Sequence, residues 1–515
     1  MTLNNRNLKK ILLVLFIGLA ATGCKKNWLD VNTNPNQLPP TRPDFQFTAG
    51  IGRTVSVLGP NETGSYWSAQ MTQSSTYASS APNFAYNFNN TNFNFWDDWY
   101  DILEDFQYAI NNADANALPS IKGPSKIMKA YIYQQIVDVY GNVPFSDALK
   151  GSGSLAPKFD DQKAIYEALI VLLDEAIADL KANPFDAVSS PADVVFKGGT
   201  AGTTAWIRFA NSLKLRILIR QSRVAGRDAY IIAEISKAIA TTEGFLAAGQ
   251  DAGANPGYTA STGQTNPFYN SWGYDANGAV QALGRYPRPT TFLFDVLKAS
   301  NDTFRLKRLF YTSGGESATT PGVSATPENV SNYIAVPYGI QSGYLAQVTS
   351  PIGPALLRKG VVNNPMYMLT AAESFLLLAE AKQRYPALTL TGSAQSYYEQ
   401  GVRESFRITG TAAAAATTLL TSGKDLADWA ASPDKLKAIW MQKWIALVHY
   451  GGLEAWSEFR RTNYPNIPLS AAAAVGQKLP LRLFYPVTEL SSNGTNVKAQ
   501  GTIDVFNSRI FWDVD

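Results

Sequence analysis

Rings interleaved with amides are the residues of this chain whose chemistry is most suggestive. Between Tyr66 and Tyr108 there are 13 Phe, Trp or Tyr residues, and Asn83, Asn87, Asn89, Asn90, Asn92 and Asn94 fall among them. The flat apolar face of a sugar ring can stack on an aromatic side chain, and Trp offers the largest area with an N–H besides. An Asn side chain both donates and accepts, which suits hydroxyl groups. A second stretch holds Tyr258, Phe268, Tyr269, Trp272, Tyr274 and Tyr286, with Asn270, Asp275, Arg285 and Arg288 among them. Rings that fall at the start of a helical pattern or inside it (Trp96, Trp99, Tyr100, Phe106, Tyr108) are expected in the core. The candidates for ligand contact are therefore the loop residues Trp67, Tyr77, Phe84, Tyr86, Asn87, Trp272, Tyr274 and Asp275.

Other chemistry is largely excluded by composition. One cysteine and one histidine in 515 residues leave no disulfide framework, no Cys/His zinc site and no HExxH metalloprotease. Any imidazole mechanism would have to run through His449, which ends a helical pattern just before Gly451 and Gly452 and reads as a capping or packing residue. Asp97/Asp98 and Asp160/Asp161 are adjacent acids at helix starts. They favour the helix dipole and do not face each other across a sugar as glycosidase carboxylates must. Arg460 and Arg461 read as structural ion pairs or solvated charge. No calcium-loop spacing occurs, so neither a metal nor a cofactor is expected, and no nucleophile, base and orienting group can be assembled. The expectation is a binding protein and not an enzyme.

The single cysteine has a more specific reading. Arg6, Lys9 and Lys10 precede the apolar run Ile11–Ala21, and Thr22, Gly23 and Cys24 follow it. Eleven apolar residues are too few for a spanning helix, which needs roughly 20. A basic start, a short apolar middle and small residues before a cysteine describe a bacterial lipoprotein signal, with Cys24 lipidated and residues 1–23 removed. Residues 24–43, polar and broken by Pro, then read as a leash. Formal net charge is +3, too small to suggest nucleic acid. The three signal-segment cations account for all of it, leaving 41 basic against 41 acidic residues.

The elements that must position the loops are helices. Apolar residues three and four apart in 160–182, with acids at the start and Lys181 at the end, predict a helix. Similar patterns cover Trp99–Ala115, Pro124–Tyr140, Thr203–Arg223, Asp228–Thr242, Met366–Tyr385, Ala394–Ile408 and Pro433–Tyr450. Ala371, Ala372, Ala379 and Ala381 would let two helices approach closely, suggesting tetratricopeptide-like pairs, although no 34-residue repeat is legible. Residues 52–94, 250–291 and 313–364 show no periodicity, and ordered loops of that length are usually functional. The fold class expected is all-α, with few short strands, and 44–515 is expected to form a single binding domain.

Several long blocks carry a resemblance. NWLDVNTNPN at 27–36, IMKAYIYQQIVDVYGNVPFSDAL at 127–149, WIRFANSLKLRILIR at 206–220, SYYEQGVRESFRITG at 396–410, QKWIALVHYGGLEAWSEFRRTNYP at 442–465 and LPLRLFYPVTELSSN at 479–493 resemble the SusD/RagB family of Bacteroidetes outer-membrane nutrient-binding lipoproteins, specifically its SusD-like second branch. The resemblance implies a tetratricopeptide-type scaffold whose irregular loops build a ligand face. It also implies a lipid-anchored, surface-displayed protein that captures oligosaccharides and passes them to a SusC-like TonB-dependent transporter. Family members displayed on the surface often carry acids just after the lipidated cysteine, whereas Lys25, Lys26 and Asn27 stand here. Two other readings share the architecture: a peptide-binding member of the branch, and a helical-repeat scaffold whose loops face another protein.

Overall fold

The computed structural model describes residues 41–514, apart from residue 60, residues 77–80 and residues 314–327. Cys24, the signal segment, most of the leash and Tyr77 lie outside the described residues. The scaffold is a succession of antiparallel helices, each packed on its chain neighbours: Trp96–Asn112, Lys122–Tyr140, Gln162–Ala182, Gly199–Arg220 and Asp228–Ile239. Ala371–Arg384 continues the stack against Gly199–Arg220, Ala394–Ile408 packs on it, Lys435–Ala446 packs on both, and Gly452–Thr462 packs on Lys435–Ala446. The fold is all-α in class. Its strands are short and join only as two-stranded antiparallel pairs among the described residues.

Local chemistry accounts for the boundaries. Asp161 caps Gln162–Ala182 by accepting from the backbone N–H groups of Lys163 and Ala164, both at 3.0 Å. Thr370 caps Ala371–Arg384 by accepting from the N–H of Glu373, and Gly141, at φ +78°, terminates Lys122–Tyr140. The predicted helix Met366–Tyr385 therefore divides: Met366–Leu369 is a strand paired with Ala252–Ala254, and the helix begins only after the Thr370 cap. The alanine stripe does what its small side chains allow. Ala371, Ala372, Ala379 and Ala381 are buried, and the partner helix comes so close that a Cβ on Gly401 would lie 2.6 Å from Leu376 Cγ.

Two expectations about loops are corrected. Pro43–Leu58 is a helix, so it takes Pro43 from the leash and the first residues from the stretch 52–94; Pro43 stands at the first helical position, where its missing N–H costs nothing. Its buried Phe47, Ile51 and Val55 are spaced by four. The pattern is masked by Gly50 and Gly52, poor helix formers, but Gly50 is needed: its Cβ would lie 3.0 Å from the Phe106 ring. Thr63–Trp67 is a further short helix, and Pro267–Trp272, capped by Asn266, breaks up the second loop.

A buried charge network holds the helical stack together. Arg216 meets Glu373 with Nε and Nη2, each at 2.7 Å. Arg461 meets both oxygens of Glu380 at 2.8 Å and Oε2 of Glu458 at 2.7 Å. Arg220 bridges Glu454 and Glu458. Burial pushes the Glu380 carboxyl up, but Arg461 and Arg384 together outweigh it and hold the group down at about 2. Arg460 has a different role: its guanidinium lies 3.7 Å from the Trp456 ring centroid and donates to the carbonyls of Asp138 and Leu481. Of the two arginines read from the sequence, Arg461 forms the structural ion pairs and Arg460 packs on a ring and carbonyls instead; both are buried and neither is solvated.

Candidate ligand-binding face

The loop residues singled out by sequence fall into two layers. Trp67, Phe84, Tyr86 and Tyr274 are buried, none more than 4% exposed. Trp67 sits in a cage of rings, with Phe88, Phe93 and Trp456 at centroid distances of 5.5, 5.0 and 4.7 Å. Phe84 packs on Tyr66 and Tyr338, and the Tyr86 hydroxyl lies 3.3 Å from that of Tyr338. Tyr66 in turn contacts Tyr286 at 6.4 Å. A continuous seam of rings thus ties the first aromatic loop to the second. These four side chains are core in this structure and have no face to offer a ligand, which leaves the outer layer as the candidate surface.

That outer layer contains Asn87, which is exposed, and Trp272 and Asp275, which are half-exposed. The asparagines of the first loop chiefly shape its backbone. Asn89 Oδ1 accepts from the N–H and hydroxyl of Thr91 at 2.8 and 2.7 Å, and Asn94 Oδ1 accepts from the N–H of Trp96 at 3.2 Å. Asp275 does the same for the second loop: its Oδ1 accepts from the N–H groups of Asn277 and Ala279, each at 2.8 Å, closing a turn that needs Gly278 at φ +75°.

Three loops converge beside Trp272. The strand Met71–Gln73 pairs with Pro287–Pro289, and Ser74 and Ser75 extend the contact through their N–H groups to the carbonyls of Tyr286 and Tyr344. Arg288, fully buried, fastens the convergence. Its guanidinium donates to the Gly284 carbonyl at 3.1 Å, the Ala346 carbonyl at 3.2 Å and Thr349 Oγ1 at 2.9 Å. On these loops Leu283, Leu345 and Val348 are each at least 50% exposed, and Tyr286 and Tyr344 are half-exposed. Tyr344, Leu345 and Val348 are not expected from the sequence as part of this surface, because the third loop has no aromatic enrichment. A run of apolar residues in a non-periodic stretch was the available signal.

The other flagged groups do not assemble chemistry. Asp160 accepts from the N–H groups of Phe145 and Ser146, while Asp161 caps its helix. His449 lies buried between the rings of Phe268 and Phe310 with Nδ1 3.4 Å from Glu62 Oε1. Among the described residues no group of three or more His, Cys, Asp or Glu is placed to hold a metal, and no helix is long and apolar enough to cross a membrane.

A helix-pair scaffold carrying a loop-built face is the architecture of bacterial nutrient-binding proteins of the SusD type. The family model for SusD-like proteins of the second branch, described as starch-binding and associating with the outer membrane, matches residues 54–486. The chain belongs to the SusD/RagB family. Among solved structures, a SusD homologue from Bacteroides uniformis is 22% identical with a TM-score of 0.73, covering 92% of this chain and 100% of its own. A chitin-binding SusD homologue from Flavobacterium johnsoniae is 23% identical with a TM-score of 0.73, covering 91% and 99%. A Bacteroides fragilis SusD homologue is 22% identical with a TM-score of 0.72, covering 92% and 99%. These likenesses concern the fold. No curated protein matches the sequence.

Proposed function

We propose that this protein is a lipid-anchored outer-membrane protein that binds an oligosaccharide at the Trp272 face and delivers it to a SusC-like TonB-dependent transporter, without acting on it chemically. Family membership over residues 54–486 carries the reading. The face supports it physically: Trp272, Tyr286 and Tyr344 are partly exposed aromatic residues available for stacking, and Asp275 lies in the same loop as Trp272. The chitin-binding relative makes a β-linked N-acetylglucosamine oligomer the first ligand to try, with starch as the second.

Affinity electrophoresis in gels containing soluble chitin derivatives or starch tests the proposal. Wild-type protein is expected to be retarded by one of them. Trp272→Ala and Tyr286→Ala should each lose most of that retardation while the helical circular dichroism stays unchanged. Full retardation of both variants would remove this face from ligand binding. No retardation of the wild type by any of a panel of neutral polysaccharides would overturn the glycan reading.

A further inference from the structure

A cavity of about 120 Å³ lies where the end of Pro43–Leu58, the 364–368 segment and the start of Gly452–Thr462 meet. Its floor is charged, but most of that charge is answered. Glu373 is held by Arg216, and Glu454 by Arg220, with Lys443 Nζ 3.5 Å from its other oxygen. Glu62 is the exception. Its side chain is 3% exposed, Oε1 meets only His449 Nδ1 at 3.4 Å, and Oε2 has no hydrogen-bond partner. Among the described residues no Lys or Arg forms an ion pair with it. A carboxylate buried without a cation is costly, whereas one that meets a cation on binding gains both charge and hydrogen bonds.

The remaining lining narrows what that cation can be. Leu58, Phe268 and Met366 form an apolar wall, and Leu58, Asn61 and Tyr367 at the rim are half-exposed. A metal ion would need more ligating side chains than the described residues supply there. A neutral polyol would offer donors to Glu62 but leave its charge unmet. The volume is several times the roughly 10–15 Å³ of probe space that one water needs, so there is room for a small organic guest.

We propose that this cavity is a second binding site, separate from the glycan face, that takes a small primary alkylammonium: the charge on Glu62, the hydrocarbon against Leu58, Phe268 and Met366. The site stands whether or not the glycan reading does.

The test compares n-propylammonium chloride with 1-propanol, which has the same size and shape without the charge. Both are titrated into the full chain at neutral pH and constant ionic strength, with binding read by calorimetry and ligand-observed NMR. Saturable propylammonium binding, at least about tenfold tighter than propanol, is expected, a ratio equivalent to about 1.4 kcal/mol. Glu62→Gln should bring propylammonium down to the propanol level. Equal affinities for the two probes in wild-type protein would overturn the proposal without recourse to a variant. So would undiminished propylammonium binding by folded Glu62→Gln, or the absence of saturable binding up to about 100 mM, which would leave the cavity to ordered water.

Discussion

Replacing Glu380 by Gln keeps the shape of a fully buried side chain and removes its charge. In the native protein both carboxylate oxygens receive Arg461 at 2.8 Å, and Oε1 also receives Arg384 Nε at 2.7 Å. The carboxyl is held from the ordinary 4.5 down to about 2. At about 1.36 kcal/mol per pH unit, that difference stabilises the folded protein by about 3 kcal/mol at pH 7. Breaking one partner of a buried pair typically costs about 3–5 kcal/mol, which agrees. A group whose folded pKa is depressed contributes fully above its unfolded value and loses the contribution as pH falls through its folded value. The stability gap between wild type and Glu380→Gln should therefore be constant from pH 7 to about pH 5, shrink below about 4.5, and be nearly closed at about pH 2. Urea unfolding followed by circular dichroism at a series of pH values measures it. A gap below about 1 kcal/mol at pH 7, or one that stays constant down to pH 2.5, would refute the reasoning.

Two further perturbations separate packing from function. Trp67→Ala should destabilise the protein by about 3–5 kcal/mol, because it empties a ring-lined core site; a variant of unchanged thermal stability that no longer binds glycan would instead make Trp67 a ligand contact. Cys24→Ser should shift the protein from the membrane fraction to the soluble fraction, and persistence in membranes after a carbonate wash would count against lipid anchoring.

The scaffold was legible in the sequence wherever one face of a helix is apolar. The periodicity over Ala394–Ile408 coincides with the helix to the residue, and that over 160–182 with Gln162–Ala182 and its cap. Pro43–Leu58 escaped because a helix that approaches its neighbour closely needs Gly50 on the contact, and glycine reads locally as a breaker. Met366–Leu369 was absorbed into the following helix because a short apolar run does not distinguish strand from helix. The face was legible as a region and not as residues. Aromatic enrichment marks the loops that the seam of rings joins, but a ring that braces a loop and a ring left partly at the surface are the same residue type. Only the tertiary contacts of Phe84, Tyr86 and Trp67 separate them. Arg288 was visible as a charge, but its task of joining two loops 60 residues apart depends on carbonyls that no side-chain pattern advertises.

The seam of rings beneath the loops has an evolutionary consequence. Because Trp67, Phe84, Tyr86 and Tyr338 immobilise one another during folding, the loops above them are already ordered, and a partner that docks there as proposed need not supply that entropy. Substitutions in the seam are then filtered by folding, whereas those at the exposed Asn87, Leu283 or Leu345 escape that filter. A lineage can vary the outer layer while inheriting the inner one intact, which is how one scaffold could persist among structures at identities near 20%.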